Sequence, residues 1–394
     1  MALKSSFMRG LAVLAALAAV LITGTDPVPA VADEVPAATA AITTGAVFND
    51  PQGTATQQNA IVDHIENLVR QAPAEARLRL AVYVITDMGF VDELIAASAR
   101  GVHVRIVLDA SEDNDASYAK LRTALGTDRS ANSYVKRCVH RACIGNAGTP
   151  RMHNKFYLFS RTGGADDVVV QSSANLTPHN TVDYWNNAVT VVGNTPLYTA
   201  YVDYFADLAA SPDRETDDYY RMTTSGDVKL YFFPRAGTDD STDTIVEILD
   251  NVTCEGNTSV GTPTGRTQIR IGAWDLTRTG IANKLRQLAD RNCWVDVVYR
   301  HLGTGVADTL SGHDRIKLYE LNQDDGDLIH SKYMLIEGTY AGQKDTKWVF
   351  TGSPNYDVSS LRENDEALLR FKSDSIHDQY KSNFVSMRTV VRGY

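Results

Sequence analysis

Two short phrases recur 177 positions apart, His153-Asn154-Lys155 and His330-Ser331-Lys332. Each sits in an apolar run, 152–159 and 328–336, and each is followed by a second polar cluster: Ser172-Ser173-Ala174-Asn175 in the first copy, Gly352-Ser353-Pro354-Asn355 in the second. In a strand, side chains alternate with period two, so His and Lys two apart share a face. An imidazole can attack phosphorus or donate a proton, an ammonium neutralises phosphate oxygens, and a carboxamide donates to them. A single lysine in a strand ordinarily faces solvent. Two copies of one set imply a single site built from two related halves and suited to a phosphodiester, in which one histidine attacks and the other protonates the leaving oxygen. The candidate residues are His153, Lys155, Asn175, His330, Lys332 and Asn355, with Ser173 and Ser353 as substrate-binding donors or turn caps.

The elements that position these residues also repeat. Residues 79–86 align with 270–277, with no gap through Leu108 and Tyr299. Each block reads as strand, helix, strand. The helices are 90–99 and 281–290, with apolar residues at helical spacing, and the closing strands are 102–108 and 294–299, apolar enough to be buried parallel strands. Helices are also expected at 61–69 and 244–251. At the end of each half, 188–205 aligns with 367–384 at an offset of 179, a strand running into a helix. The fold class is therefore α/β, two tandem α/β/α sandwich domains of mixed sheets, spanning 44–224 and 225–394, with 211–227 as a polar linker. Between Ala110 and Pro150 the first half carries a longer polar stretch, read as a substrate lid or as a disulfide-tied excursion.

Composition bounds the rest. With 394 residues and 43% hydrophobic content, the chain suits two globular domains. Lys4 and Arg9 precede an apolar run, 11–22, and Ala30-Val31-Ala32 has the small residues of a cleavage site. Residues 1–32 read as a secretory signal peptide, too short to span a membrane, and the protein is expected to be secreted after cleavage near Ala32. The net charge of −10 becomes one unit more negative without Lys4, Arg9 and Asp26. So acidic a chain is a poor generic binder of nucleic acid. Four cysteines in a secreted protein read as disulfides, and pairing within each half favours Cys138–Cys143 and Cys254–Cys293. The Cys138/Cys143 spacing around His140 matches zinc poorly. There is no G-x-S-x-G elbow and no phosphate-binding G-x-x-x-x-G-K-[ST] loop.

The doubled H-x-K and S-x-N phrases resemble the phospholipase D superfamily, over nearly the whole mature chain. The resemblance implies pseudo-twofold symmetry, both motifs at one cleft, and cleavage through a covalent phosphohistidine with no metal or cofactor. The family's aspartate after the lysine is replaced by Ser160 and Glu337. The spacing from His to Asn is also longer than in the family, which predicts longer hairpin loops at 161–167 and 338–347. In the family a carboxylate at the place of Glu366 holds the motif histidine. By the offset of 179, Asn187 is its counterpart in the first copy, with Asp183 as another group able to serve His153. A carboxylate stabilises an imidazolium and an amide does so much less. On that basis His153 is expected to be the nucleophile, and His330, paired with Glu366, the general acid. The resulting expectation is a phospholipase D-type enzyme acting on phospholipid headgroup esters at a membrane or vesicle surface, with headgroup exchange when an alcohol replaces water. It needs no obligate protein partner and is complete as a monomer. The alternatives are a metal-independent endonuclease of the same superfamily and a non-catalytic phosphate-binding secreted module. Trp185 and Trp274 are expected in the core, with a place lining an acyl or headgroup pocket as the alternative. His64 and His377 are expected on the surface and His103 at a strand edge, with His301 a candidate substrate contact.

Overall fold

The computed structural model describes residues 41–322 and 328–392, and the expected leader at 1–32 lies outside them. Residues 41–394 group as one compact unit. Seven strands form the first sheet. In spatial order they are Gly45–Phe48, Asn187–Val191, Ala165–Ser172, Lys155–Thr162, Arg77–Val82, His103–Leu108 and Tyr134–Arg137, with the last three parallel and the rest antiparallel. The second sheet repeats this plan: Ile316–Glu320, Trp294–Leu302, Gln268–Leu276, Lys332–Tyr340, Gln343–Gly352, Glu366–Lys372, Val228–Phe233 and Arg221–Ser225, with Val252–Thr253 attached at the side. The expected linker thus supplies, at Arg221–Ser225, an edge strand of the second sheet.

The near-continuous apolar runs follow from burial on both faces. In Lys155–Thr162, Phe156 and Leu158 face a central core, while Tyr157 and Phe159 face the helices Ala60–Arg70 and Met88–Ala99. In Lys332–Tyr340, Tyr333 and Leu335 enter the same central core, and Met334 and Ile336 face the helices Thr244–Asp250 and Thr279–Asp290. The helices Thr195–Ala209 and Asp374–Arg392 fill the central core from the two halves, through Tyr201, Tyr204 and Phe205 and through Tyr380, Phe384 and Met387. The two halves therefore share one core.

Three local expectations change. The hairpins do not carry long loops: Gly163-Gly164 and Ala341-Gly342 form two-residue turns, all with positive φ, and the surplus residues lengthen the strands instead. The stretch 110–150 is not a bare loop. It contributes the helix Asp115–Leu125 and the strand Tyr134–Arg137, as the second half contributes Thr304–Leu310 and Ile316–Glu320. Only the cystine loop after Arg137 is additional. His377 is fully buried rather than on the surface, and His64 is partly buried against the Thr190 hydroxyl at 2.8 Å.

Both expected disulfides form, Cys138–Cys143 and Cys254–Cys293, separated by 5 and 39 positions. Closing the longer loop restricts the unfolded chain more. Replacing Cys254 and Cys293 by Ala is expected to cost about 4 kcal/mol of unfolding free energy, and replacing Cys138 and Cys143 about 2 kcal/mol. Urea unfolding of the two double variants checks the order.

Candidate functional site

Both lysines open a strand, and both histidines lie just before it, on segments mounted on the opposite half. The His153 amide donates to Asp365 O at 3.0 Å, and the Asp365 amide to Arg151 O at 2.9 Å. In the other half the His330 amide donates to Trp185 O at 2.9 Å and the Leu328 amide to Asp183 O at 2.8 Å. Leu328–Ile329 pairs in parallel with Tyr184–Trp185, and Met152 bridges Asp365. Each motif is thus held by the end of the other half's repeat, which brings the two together.

The loops carrying Asn175 and Asn355 are fixed the same way in both halves. Leu176 bridges Ile85, and Tyr356 bridges Leu276. Thr177 caps the short helix Pro178–Val182, and Asp357 caps Val358–Arg362. The Oδ1 atoms of Asn175 and Asn355 are buried and unpartnered. Ser173 and Ser353 are fully buried and work inside the protein. The Ser173 hydroxyl donates to Asn186 Oδ1 at 2.9 Å and receives the Asn187 amide, while the Ser353 hydroxyl receives the Ala367 amide. They brace the site.

The histidine partners differ from the expected ones. Glu366 Oε1 lies 2.8 Å from His153 Nδ1, not beside His330. His330 Nδ1 lies 2.9 Å from Asn186 Oδ1. Two causes account for the correction. The mounting is crossed, so a carboxylate from the second half serves the first half's histidine. In addition, the strands Ala165–Ser172 and Gln343–Gly352 pair with their neighbours in a register that makes Asn187 equivalent to Ala367 and Asn186 to Glu366. The slip of one residue puts Asn187 on the other face, where its Nδ2 meets Thr351 and Tyr380 in the interior. Asp183 does not serve His153 and pairs with His179 at 2.6 Å.

The Asn186 amide has one permissible orientation. Its Nδ2 donates to the carbonyls of Asn180 and Tyr184 at 3.0 and 3.2 Å, so its Oδ1 accepts, and His330 Nδ1 carries the proton. The carboxylate likewise assigns the Nδ1 proton of His153. Both Nε2 atoms are left for chemistry.

Lys155 Nζ donates to His153 O at 2.6 Å and Lys332 Nζ to His330 O, each the only hydrogen bond of its ammonium among the described residues. Burial pulls Lys155 down to about 7, and burial followed by the neighbouring Lys155 drives Lys332 well below the usual lysine range. Burial pulls His153 down to about 4 against the Glu366 carboxylate. It drives His330 well down too, helped by Lys332, Lys155 and His153. Four buried basic groups gather here against the Glu366 carboxylate, with weaker pulls from Asp109 on Lys155 and from Asp275 and Asp357 on Lys332, and an anion entering between them would favour their charged forms.

Aromatic side chains flank the histidines. Tyr83 meets His153 at 5.0 Å between ring centroids and lies 5.2 Å from Lys155 Nζ. Its repeat counterpart Trp274, expected in the core, instead stands half-buried 4.8 Å from His330, with Tyr184 at 5.7 Å. Trp185 is in the core as expected. His301 is exposed and bonds Asp275 at 3.1 Å, near Arg300, which stacks on Trp274. Ser160, in place of the family's aspartate, accepts the Arg77 amide, and Glu337 bridges Arg270 and Lys381. His103 sits at a strand start beside Glu75. Sequence reasoning missed Asn186 and Tyr184. A count of thirteen residues from each S-x-N serine reaches both Asn186 and Glu366, a signal that the helix-based offset overrode.

A family model described as "Cardiolipin synthase, PLD-like domain" matches residues 68–209 and 264–388. No curated protein matches the sequence significantly. Among solved structures, a phosphatidylserine synthase from Haemophilus influenzae Rd KW20 superposes with a TM-score of 0.59 at 11% identity, covering 87% of this chain and 86% of that one. A polyphosphate kinase from Porphyromonas gingivalis superposes with a TM-score of 0.56 at 13% identity, over 88% of this chain but 50% of the kinase, so this chain spans half that protein's length. A phospholipase D family member from Salmonella typhimurium, Nuc, aligns at 18% identity over 42% of this chain and 92% of its own, with a TM-score of 0.31.

The depressed lysines have a measurable consequence. At pH 8 a lysine with a pKa of about 7 is mostly neutral, and a bound anion raises that pKa, so binding takes up a proton. Dimethyl phosphate, a diester too inert to turn over, is expected to bind with uptake of about one proton, read from calorimetry in buffers of different ionisation enthalpy. Heats independent of the buffer would mean that the free site already holds both lysines charged.

Proposed function

Because the chain belongs to the phospholipase D superfamily, we propose that it is a secreted phosphodiesterase that hydrolyses phospholipid headgroup esters through a covalent phosphohistidine, with headgroup exchange when an alcohol replaces water. The reading rests above all on the crossed set of two histidines, two lysines and two asparagines around one cleft, with the basic groups buried. A lipid is favoured over nucleic acid by the net charge of −10 and by the phospholipid-synthase description of the matching family model. Secretion is supported by the leader-like residues 1–32 and by two disulfides. Among the described residues no helix is long and apolar enough to cross a membrane. With both halves in one chain, a monomer supplies the whole site and no protein partner is required.

The partners of the two histidines divide the labour in the reverse of the expected sense. His330, held by an amide oxygen and no carboxylate, stays neutral and attacks phosphorus through Nε2. The N–P bond forms as the bond from phosphorus to the headgroup oxygen breaks. His153 is neutral in the free, buried site; once the phosphodiester anion is bound, that anion together with the Glu366 carboxylate favours its imidazolium, which gives its Nε2 proton to that oxygen. His153 then takes a proton from water or an alcohol, the new oxygen attacks phosphorus, and His330 is released. Lys155, Lys332, Asn175 and Asn355 hold the phosphate oxygens as charge develops. Glu366 is a positioning residue that acts through His153.

Phosphatidylcholine and phosphatidylethanolamine vesicles, incubated in EDTA with ethanol, are expected to give free headgroup and phosphatidylethanol. If the folded protein releases nothing, the lipid reading fails and oligonucleotides are tested next. Rapid quenching and peptide mapping is expected to find the phosphoryl label on His330; a label on His153 reverses the assignment. Glu366→Gln is expected to lower turnover of phosphatidylcholine about 100-fold. The loss should be much smaller on a p-nitrophenyl phosphodiester, whose leaving group needs no acid. Equal losses on both would remove His153 as proton donor.

A further inference from the structure

Away from the histidines, the outer face of the second sheet carries a cavity of roughly 270 Å³ beneath the helix Thr244–Asp250. Lys229 and Arg370 sit in it on adjacent antiparallel strands, directly opposite one another in register. Like charges at that position repel. Neither makes a salt bridge among the described residues, in a chain with net charge −10. Lys229 Nζ lies 4.7 Å from the ring of Tyr231 and the Arg370 guanidinium 5.0 Å from that of Trp348, so each rests on an aromatic face rather than on an acid. Arg370 Nε is buried with no hydrogen-bond partner. Glu247, the one carboxylate in the cavity wall, is held by Arg235 at 2.7 Å. Tyr220 and Tyr340 are also part of the lining, and the Tyr340 hydroxyl engages the Arg370 side chain.

A buried donor without an acceptor and two facing cations without a counter-ion are each unfavourable in the free protein. Both are relieved by the same thing, an oxyanion lodged between them. We propose that this cavity is a second anion site, separate from the histidine cleft, that takes a phosphate group through Lys229 and Arg370 with the tyrosines walling it. Arg370 lies four residues along the strand Glu366–Lys372 from Glu366, roughly 13 Å from it, so the site is distinct from the catalytic one. Burial and the facing Arg370 already pull Lys229 below the usual lysine range, the state a bound anion would reverse. The phosphate comes either free from solution or on the headgroup of an anionic lipid.

Equilibrium dialysis of labelled inorganic phosphate against the full chain tests this. Two equivalents are expected at saturation, one at the histidines and one here. The double variant Lys229→Gln/Arg370→Gln should bind one, with p-nitrophenyl phosphodiester hydrolysis unchanged. An unchanged stoichiometry overturns the proposal. Melting gives a check that does not depend on counting. Without phosphate the double variant, relieved of the like-charge pair, should melt higher than the parent, and saturating phosphate should shrink that gap. A variant that melts lower in both conditions refutes the site. Flotation with phosphatidylcholine vesicles, with and without phosphatidic acid, separates the sources. Binding to the acidic vesicles that is lost in the double variant assigns a lipid headgroup, and equal flotation of the two proteins assigns free phosphate. Because phosphate binding here does not require the histidines, the outcome is independent of whether the lipid-hydrolase reading holds.

Discussion

Everything at the cleft depends on one constraint: each histidine hangs from the other half of the molecule. The His153 amide is tied to Asp365 and its ring to Glu366, while the His330 amide is tied to Trp185 and its ring to Asn186. Neither half alone could orient its own imidazole. The shared core enforces the exchange, because Tyr201, Tyr204 and Phe205 from one half pack with Phe232, Tyr333 and Tyr380 from the other around the sheets that carry both motifs. Placement of the two histidines is then a by-product of burying one continuous apolar core.

Symmetry of the fold and asymmetry of the chemistry meet at a single pair of equivalent positions. A phosphohistidine mechanism needs two imidazoles in different protonation states, yet two identical halves would give them identical surroundings. Glu366 and Asn186 break the tie. They occupy the same place and make the same contact to Nδ1, but one is an anion and the other neutral, so only His153 has a carboxylate offsetting the burial that disfavours its charged form. The lysines retain the symmetry, each bonded to the carbonyl of its own histidine.

Much of this was legible in the sequence. The doubled H-x-K and S-x-N phrases, the paired strand–helix–strand blocks and both disulfides are local patterns, and locality is what a sequence exposes. The partners of the histidines were not legible in the same way. Glu366 lies far from His153 in sequence, and only the crossing of the halves makes them neighbours. The offset of 179 was set largely by the final helices. The strands before them run at 180, and one residue of slip exchanged Asn186 for Asn187 and turned the side chain from the cleft to the interior. Trp274 misled for a related reason. An aromatic at a strand end looks like core until the strand end proves to be the mouth of the site. The hairpins misled because extra residues were assigned to loops, whereas Gly163-Gly164 and Ala341-Gly342 admit the tight turns that let strands absorb them.

The remaining asymmetry between the halves lies behind the histidine partners, and it explains the extra cystine loop. In the first half the segment carrying Asn186 is pinned from within by Asn49, whose Oδ1 takes the Asn186 amide at 2.7 Å and whose Nδ2 reaches the Tyr184 carbonyl at 2.8 Å. Among the described residues, the segment carrying Glu366 has no such side chain behind it. Instead the buried Asp365 carboxylate accepts the amides of Cys143, Ile144 and Gly145, at 2.7 to 3.2 Å, from the loop that Cys138–Cys143 closes. Burial raises Asp365 to about 7 against those three donors, so the clamp depends on the loop holding its amides in place. A polar stretch that reads as a lid is thus a brace. It reaches across from the first half to fix the backbone on which Glu366 and the amide of His153 both depend, and it does so only on the side where a charged partner has to be held still.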